Sequence, residues 1–410
     1  MPQGRSRVPS GEFSDPLDML LRHKCLLLLQ GPNGPFFLRL ARRLASAGCR
    51  IRKVNFNRGD ALFFPGRRAI GFRALMSQWP QFLAELLESE QIDAIVLFGQ
   101  WRPHHRIAIE LATQRGLPFY VFEEGYVRPW WITLETGEVK AGSHLRKLDL
   151  RALAEQPRPC RPQPVRFAFA RMAWWSALYY LSGRLQKAGY PHYVHHRPFL
   201  WREAACWMRA AFRKCLYQVT ARGLRERLLD AGGPGFFFLP LQFSTDSQLL
   251  HASRWTSNVE FIGHVVRSFS EHARDSDMLV IKHHPMERGH TDYAADIDVI
   301  ARQHGVRHRI AYLHDGHVPS FLKRSLGVVV INSTVGIQAL FHGVPVCVCG
   351  EAFYDKPGLT AAGHLDAFWK EPAAPCRDTF MKFYRYMLRT TQINASFYAG
   401  SVSGARHFPI

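Results

Sequence analysis

Leu326-Gly-Val-Val-Val-Ile-Asn-Ser-Thr-Val-Gly-Ile-Gln-Ala-Leu-Phe-His-Gly-Val-Pro-Val-Cys-Val348 decides the fold. An apolar, β-branched run from Val328 to Ile331 stops at Asn332-Ser333-Thr334, residues that favour a helix N-cap. A short amphipathic segment follows and ends at Gly343 before a second apolar run. The order is strand, capped helix, strand, the repeating unit of a parallel sheet covered by helices. At the carboxyl end of such a strand the new helix presents unpaired backbone N–H groups and the positive end of its dipole, and the Ser333 and Thr334 hydroxyls add donors. Such a corner suits a phosphate. Read alone, the same three residues can equally do no more than cap a helix.

Composition bounds the rest. The 410 residues exceed one ordinary domain, and 47% apolar with 21% charged residues belongs to a core-forming globular chain. Two domains of about 150 to 200 residues each are expected. A formal net charge of +20 asks for an anionic partner: nucleic acid, an acidic membrane face or a phosphorylated substrate. The eight cysteines include no Cys-x-x-Cys pair, which fits a reducing cytoplasm. The polar N-terminus shows no secretory signal, and the run Cys25 to Leu29 is too short to span a bilayer, so any membrane is expected to be met at its surface.

Residues 1–18 read as a loose tail. Strands and helices then alternate: strand Cys25 to Leu29, the turn Gln30 to Pro35, a helix with Phe37, Leu38, Leu40 and Leu44 on its apolar side, and strand Ile51 to Phe56. Strand Ala94 to Phe98, helix Arg106 to Arg115 and strand Pro118 to Phe122 complete the series. This predicts a parallel, Rossmann-like domain over 19–150. The glycines of the first turn do not form Gly-x-Gly-x-x-Gly, so no dinucleotide site is assigned. The last strand runs into Glu123-Glu124-Gly125-Tyr126, with Arg128 and Pro129 beyond. Ligands meet such sheets at the carboxyl edge, so the paired acids suit acid/base work there; solvation or an ion pair with Arg128 is the competing use. Adjacent residues face opposite ways, which leaves one acid for the chemistry.

Residues 151–231 read as a linker and helical segment. The Pro- and Arg-rich run 145–165 supplies the linker. Arg166 to Gln186 then mixes Phe167, Phe169, Trp174, Trp175, Tyr179 and Tyr180 with basic residues, a composition that fits a membrane interface or a core helix. A second alternating half over 232–372 carries strands at Phe236 to Leu239, Met278 to Ile281 and Ile310 to Leu313, the loop His314 to Pro319, and the opening stretch. Residues 373–410 hold a last helix.

Three adjacent histidine pairs (His104/His105, His195/His196, His283/His284) tempt a zinc reading, but strand neighbours point to opposite faces and the spacings match no zinc pattern. Asp275-Ser276-Asp277 precedes its strand, at the non-binding edge of a parallel sheet, and reads as a turn. No essential divalent ion is expected. Lys282, His283 and His284, by contrast, sit at a strand's carboxyl end, where a cation or imidazole donor beside the Ser333–Thr334 corner stabilises a nucleotide phosphate and its departure.

Taken in order, Phe122 to Pro129, Gln242 to Asp246, His284-Pro285, Asn332 to Gly336, Gly358-Leu359-Thr360 and Thr391 to Tyr398 resemble the capsule polysaccharide synthesis family. Within it they resemble the β-Kdo transferases that start the Kdo linker on lipid-anchored capsules of Gram-negative bacteria. The resemblance spans residues 24–398. It implies a GT-B fold, two Rossmann-like domains facing a cleft with the last helix, Phe380 to Met387, crossing back onto the first. It implies CMP-β-Kdo as donor, no metal, and a (lyso)phosphatidylglycerol acceptor at the cytoplasmic face of the inner membrane. Other capsule assembly proteins are implied as further partners.

Carried onto this chain, the acidic motif is Glu123, Glu124 and Gly125, the His-Pro motif is His284 and Pro285, and the phosphate motif is Ser333 and Thr334 beside Asn332. The Gln-x-x-x-Asp motif is Gln242 and Asp246. A β-linked donor giving a β-linked product means retention, and double displacement needs one acid as nucleophile and one to shuttle a proton. Asp246 is assigned the first role and Glu124 the second, with Glu123 its alternative. Lys282 joins the donor side, and Arg102, Tyr126 and Arg128 are assigned to the acceptor or cleft. The Gln100-Trp101 loop and Trp130-Trp131 depart from the family pattern. Two rivals stay open: an inverting enzyme using CMP-sialic acid with Glu124 as base, and a non-catalytic subunit of a capsule assembly or export complex. Nucleic acid is not expected, because no recognised binding motif accompanies the charge.

Overall fold

The structure, a computed structural model, describes residues 15–159, 161–184, 189–193, 201–244, 252–361 and 365–399. It divides into two α/β units: Met1–Thr136, Gln156–Tyr193 and Arg385–Ile410 form the first, and Gly137–Glu155 with Val194–Tyr384 the second.

The first unit runs β1 (Cys25–Leu28), α1 (Phe36–Ser46), β2 (Arg50–Asn55), α2 (Arg58–Phe63), β3 (Ala69–Gly71), α3 (Trp79–Ser89), β4 (Ala94–Phe98), α4 (Pro103–Gln114), β5 (Phe119–Glu124), β6 (Trp131–Thr136) and α5 (Ala168–Arg184). The second runs α6 (Trp201–Thr220), α7 (Arg222–Leu229), β7 (Phe236–Pro240), α8 (Asn258–His272), β8 (Met278–Lys282), α9 (Ala294–Gln303), β9 (Ile310–Leu313) and α10 (Val318–Arg324). After these come β10 (Gly327–Val330), α11 (Val335–Phe341), β11 (Val346–Val348), α12 (Leu365–Phe368) and α13 (Arg377–Thr391), which leads back to β12 (Gln392–Asn394) in the first unit. Two Rossmann-like units and a returning C-terminal segment are the parts of the expected GT-B fold.

The central strands are continuously apolar because both their faces are covered. Leu26, Leu27 and Leu28 of β1, and Phe236, Phe237 and Phe238 of β7, are 0–1% exposed. The second sheet is wholly parallel, in the order β11-β10-β7-β8-β9. The first has seven strands, β12-β6-β5-β4-β1-β2-β3, and departs from the expected all-parallel form at one side. There β6 and β12 pair antiparallel, with Gln392 opposite Thr133 and Ile393 opposite Ile132. The last strand of the chain thus becomes the edge of the first sheet.

Domain boundaries also differ from the sequence expectation. Residues 15–18 are not loose as expected: the Asp15 carboxylate accepts the Leu17 N–H, and Leu17 and Leu20 enter the first core. Residues 145–165 are not a free linker. Lys356 donates from Nζ to Arg146 O and Leu148 O, both at 2.8 Å, which holds that part in the second unit. Gln163 N–H donates to Asn394 Oδ1 at 2.8 Å, which straps the part from Gln156 onward to β12. Proline removes backbone donors without preventing a chain from being tied down by others.

Gln392 makes the return specific. Its side chain is 3% exposed; Oε1 accepts the Tyr126 N–H at 3.0 Å and Nε2 donates to Thr133 Oγ1 at 3.0 Å. Replacing Gln392 by Ala strands a buried backbone donor beside the acidic motif, which should lower the unfolding free energy by about 1–3 kcal/mol. Urea unfolding of wild type and Gln392→Ala checks this, and equal midpoints would remove the residue's stated role.

Candidate functional site

The carboxyl edge of the second sheet collects most of the residues assigned to the donor. Gln242 follows β7 and Asn332 follows its neighbour β10; Gln242 Nε2 donates to Asn332 Oδ1 at 2.9 Å, and Asn332 N–H donates to Gln242 Oε1 at 3.2 Å. Asn332 Nδ2 also donates to Ala252 O at 3.0 Å. On the other side of β7, β8 ends at Lys282, whose side chain is 3% exposed and donates to His283 O at 3.2 Å. Burial, then the charge of Arg288, push the Lys282 ammonium down to about 8, against the pull of Asp315. His284 accepts the Met286 N–H on Nδ1 and so caps the turn Pro285–Glu287.

Ser333 and Thr334 stand on this edge, part-exposed, but they do not cap α11 as the sequence suggested. Thr334 occupies the cap position in helical conformation and makes no side-chain cap bond. Ser333 Oγ instead accepts the Val335 N–H at 3.3 Å in a local turn. The Ser333 carbonyl is taken by the Tyr354 hydroxyl, and that ring stands where a Cβ on Gly336 would come within 2.4 Å of its oxygen. Asp246, the assigned nucleophile, lies outside the described residues, as do His195 and His196.

The first unit places Glu123 and Glu124 at the very end of β5, part-buried and paired with β6, rather than in a loop beyond the strand. Glu124 N–H donates to Glu123 Oε1 at 3.1 Å, and Thr133 Oγ1 donates to Glu124 O at 3.1 Å, so both backbones are fixed. Arg102 precedes α4, donates from Nη1 to Gly31 O at 3.2 Å and lies over the Phe98 ring. The Tyr398 phenol belongs to the same edge. Its pKa is raised by burial first and by Glu124 next, with Arg102 opposing and Glu123 adding to the rise. The sequence placed Tyr398 in a motif without giving it a role.

Tyr126 is not a cleft residue. It is 0% exposed, its N–H goes to Gln392, and its hydroxyl donates to buried Glu135. Gly125 before it is required by packing, since a Cβ there would sit 2.2 Å from Trp131 O. Arg128 is exposed. Of the aromatic departures, Trp101 lies beneath the Arg106 guanidinium, while Trp130 takes part through its backbone, its carbonyl accepting from Ala395 N–H and Asn394 Nδ2. His104 and His105 are buried on the first turn of α4, which starts at Pro103 rather than at Arg106 as expected; Nδ1 of His105 meets Gly99 O at 2.6 Å.

A third group escaped the sequence reading. Gln30, Lys53, Asn57 and Asp60 are all buried where β1 and β2 end, beside Tyr179 of α5. Gln30 Nε2 reaches Asp60 Oδ2 at 3.2 Å and the Tyr179 oxygen at 3.0 Å, and Asn57 Nδ2 donates to the same phenol at 2.7 Å. A charged residue between apolar Ile51 and Val54 of a β-strand was the available signal.

The sequence profile of the capsule polysaccharide biosynthesis proteins matches residues 93–398. The chain belongs to that family. Members similar along nearly the whole length include the capsule polysaccharide export protein KpsS of Escherichia coli, 40% identical over 93% of this chain and 99% of the relative. The capsule polysaccharide modification protein LipB of Neisseria meningitidis serogroup B is also 40% identical, over 91% of each chain. Among solved structures, the β-Kdo 2,7 transferase of Thermosulfurimonas dismutans KpsC superposes with a TM-score of 0.41 at 13% identity, covering 87% of this chain and 89% of that one. For this family member, as for the motifs, the matched span runs from β4 through the segment after β12 and takes in both sheet edges.

His283 gives a pH prediction. It is 1% exposed, its Nδ1 lies 2.6 Å from the Tyr312 oxygen, and its Nε2 has no hydrogen-bond partner among the described residues. Burial, then neighbouring His314, push its pKa from 6.5 down to about 4. The unfolded chain binds the proton first, so His283 favours the fold above pH 6.5 and that contribution is lost as pH falls toward 4. The urea midpoint of wild type should drop across this window, and His283→Gln should flatten the drop; parallel pH curves would refute the assignment.

Proposed function

We propose that this family member is a retaining β-Kdo glycosyltransferase that moves Kdo from CMP-β-Kdo to a (lyso)phosphatidylglycerol acceptor and so starts the Kdo linker of a Gram-negative capsule. The observation that carries the reading is the second sheet edge, where Gln242, Lys282, His284, Asn332, Ser333 and Thr334 converge from three neighbouring strands. Family membership supplies the capsule context, and the ordered motifs supply Kdo and the lipid.

In this reading Lys282 and His284 receive the negative charge that CMP carries away, with the Ser333 and Thr334 hydroxyls as donors to its phosphate. The donor site then needs no divalent ion. The Asp246 carboxylate attacks the anomeric carbon as the bond to the CMP oxygen breaks, which leaves a glycosyl-enzyme ester. Glu124 takes the proton of the acceptor hydroxyl while that oxygen displaces Asp246, and two inversions give net retention. Glu123 is the alternative base, and the Tyr398 phenol, held protonated near both acids, is a donor for the site's oxygens.

Work at the inner face of the inner membrane is supported by surface composition. Between Arg166 and Arg227 the sequence holds 12 Lys and Arg against two acids. Exposed apolar residues lie in that stretch, Trp174 and Leu181 on α5 and Met208, Phe212 and Val219 on α6. A basic stretch with exposed aromatic and aliphatic side chains of this kind suits an anionic interface. No helix among the described residues is long and apolar enough to cross a bilayer.

Purified protein with fresh CMP-Kdo and a fluorescent lysophosphatidylglycerol should give a β-linked Kdo product. Asp246→Ala should abolish turnover, and Glu124→Ala should lower it by about 10²–10⁴-fold. A product of inverted configuration would replace this mechanism with direct displacement by the acceptor. No product alongside an active control enzyme would favour a non-catalytic role in capsule assembly.

A further inference from the structure

We propose that a narrow pocket at the carboxyl end of β1 and β2 holds one phosphate oxygen of the acceptor lipid's headgroup on Lys53. The inference rests on the lipid acceptor proposed above and assigns that acceptor a binding place.

Lys53 is 2% exposed, and its ammonium donates to Val54 O at 2.5 Å. Among the described residues no carboxylate stands within ion-pair distance of it. Burial holds its pKa down to about 8, with Asp60 pulling the other way. An ammonium out of water with so few partners is costly unless something anionic arrives. It lines a pocket whose other walls include Gly31, Phe37, Asp60, Phe63 and Tyr179, wide enough at the base for an oxygen-sized group and open on one side.

Asp60 stands on the same pocket wall and pulls the Lys53 pKa up, but it lies beyond ion-pair distance and its oxygens are taken by other donors. It accepts the Phe56 N–H at 2.9 Å, Gln30 Nε2 at 3.2 Å and the Tyr179 hydroxyl at 3.2 Å. The other walls are largely apolar and aromatic, Phe37, Leu38, Phe63, Phe64 and Tyr179, a setting for a phosphate attached to an apolar molecule rather than for a sugar ring.

Helix α5 connects the pocket to a lipid surface. Its inner face brings Tyr179 over α2 and Trp175 against Gly34, where a Cβ would come within 3.2 Å of the indole. Its outer face shows Trp174 and Leu181, 61% and 62% exposed, with Phe167 and Phe169 at its start. The pocket also adjoins the acids: Arg102 bonds the Gly31 carbonyl on the pocket wall, and its charge acts on both the Tyr179 and the Tyr398 phenols.

The test uses the full chain and glycerol 3-phosphate as probe. Calorimetric titration should show binding to wild type, weakened at least tenfold in Lys53→Met; equal affinity overturns the proposal. In transfer assays on phosphatidylglycerol vesicles, Lys53→Met should raise the acceptor KM at least tenfold and leave the KM for CMP-Kdo unchanged; a change confined to the donor overturns it. Glycerol 3-phosphate should compete with the lipid more strongly than inorganic phosphate does, and the reverse order would make the pocket a free-phosphate site. Should Lys53→Met fail to fold, wild type still decides. Tyr179 and Tyr193 are both held above the usual phenol range, so affinity should fall above pH 8 as Lys53 deprotonates, and a flat profile to pH 10 overturns it. Lys53-dependent binding without any Kdo transfer would sink the transferase and spare the pocket. Transfer with an unchanged acceptor KM in Lys53→Met would do the opposite.

Discussion

Parallel strands that end beneath covering helices leave their last polar residues short of water, and that constraint shapes both sheet edges. In the second unit Gln242 and Asn332 meet it with each other, amide to amide and amide to backbone. Asn258 Nδ2 then donates to Gln242 O, and buried Glu287 accepts the Ser244 N–H at 2.7 Å and the Tyr293 hydroxyl at 2.9 Å. The chain on either side of 245–251 is thereby tied down, at Ser244 by Glu287 and at Ala252 by Asn332.

The buried lysines meet the same constraint in two ways. Lys356 is 7% exposed, yet its ammonium spans two carbonyls at 2.8 Å and fastens residues 146–148 to the second unit. Lys53 and Lys282 are more buried, each donates to one carbonyl beside it in sequence, and both are pushed down to about 8. Keeping such a charge out of water subtracts from stability unless an anion is supplied. Lys282 closes β8 and Lys53 stands opposite Leu28, the last residue of β1, so each sheet keeps one such lysine where its strands run out.

Much of this was legible from sequence because apolar runs and their stops are local signals. The strands at Ala94–Phe98 and Ile310–Leu313 lie where the pattern puts them. The antiparallel margin was not legible: β6 follows the acidic motif too closely to read as a new element, and the three residues of β12 carry no pattern of their own. Their pairing is decided by Gln392, a contact 266 residues from Tyr126 in sequence. The same limit explains why Tyr126 looked like a cleft residue and Lys53 like nothing at all. Residue type shows what a side chain is able to do, whereas only tertiary packing shows whether Glu135 or open space stands opposite it.

The motifs themselves mix two kinds of necessity. Gly125 stands beside Glu124 because Trp131 O occupies the room a side chain would need, and Gly336 stands after Ser333 because the Tyr354 ring does. Neither glycine has positive φ, so the requirement is steric and not conformational. Each packs a chemical residue of the motif against a rigid neighbour: Glu124 against β6, Ser333 against the Tyr354 hydroxyl that takes its carbonyl. An acid or hydroxyl alone is common in any chain. Joined to a glycine whose absence of a side chain is dictated by a specific neighbour, it records the geometry around it, and this is why the ordered set of short motifs identified the family where single residues could not.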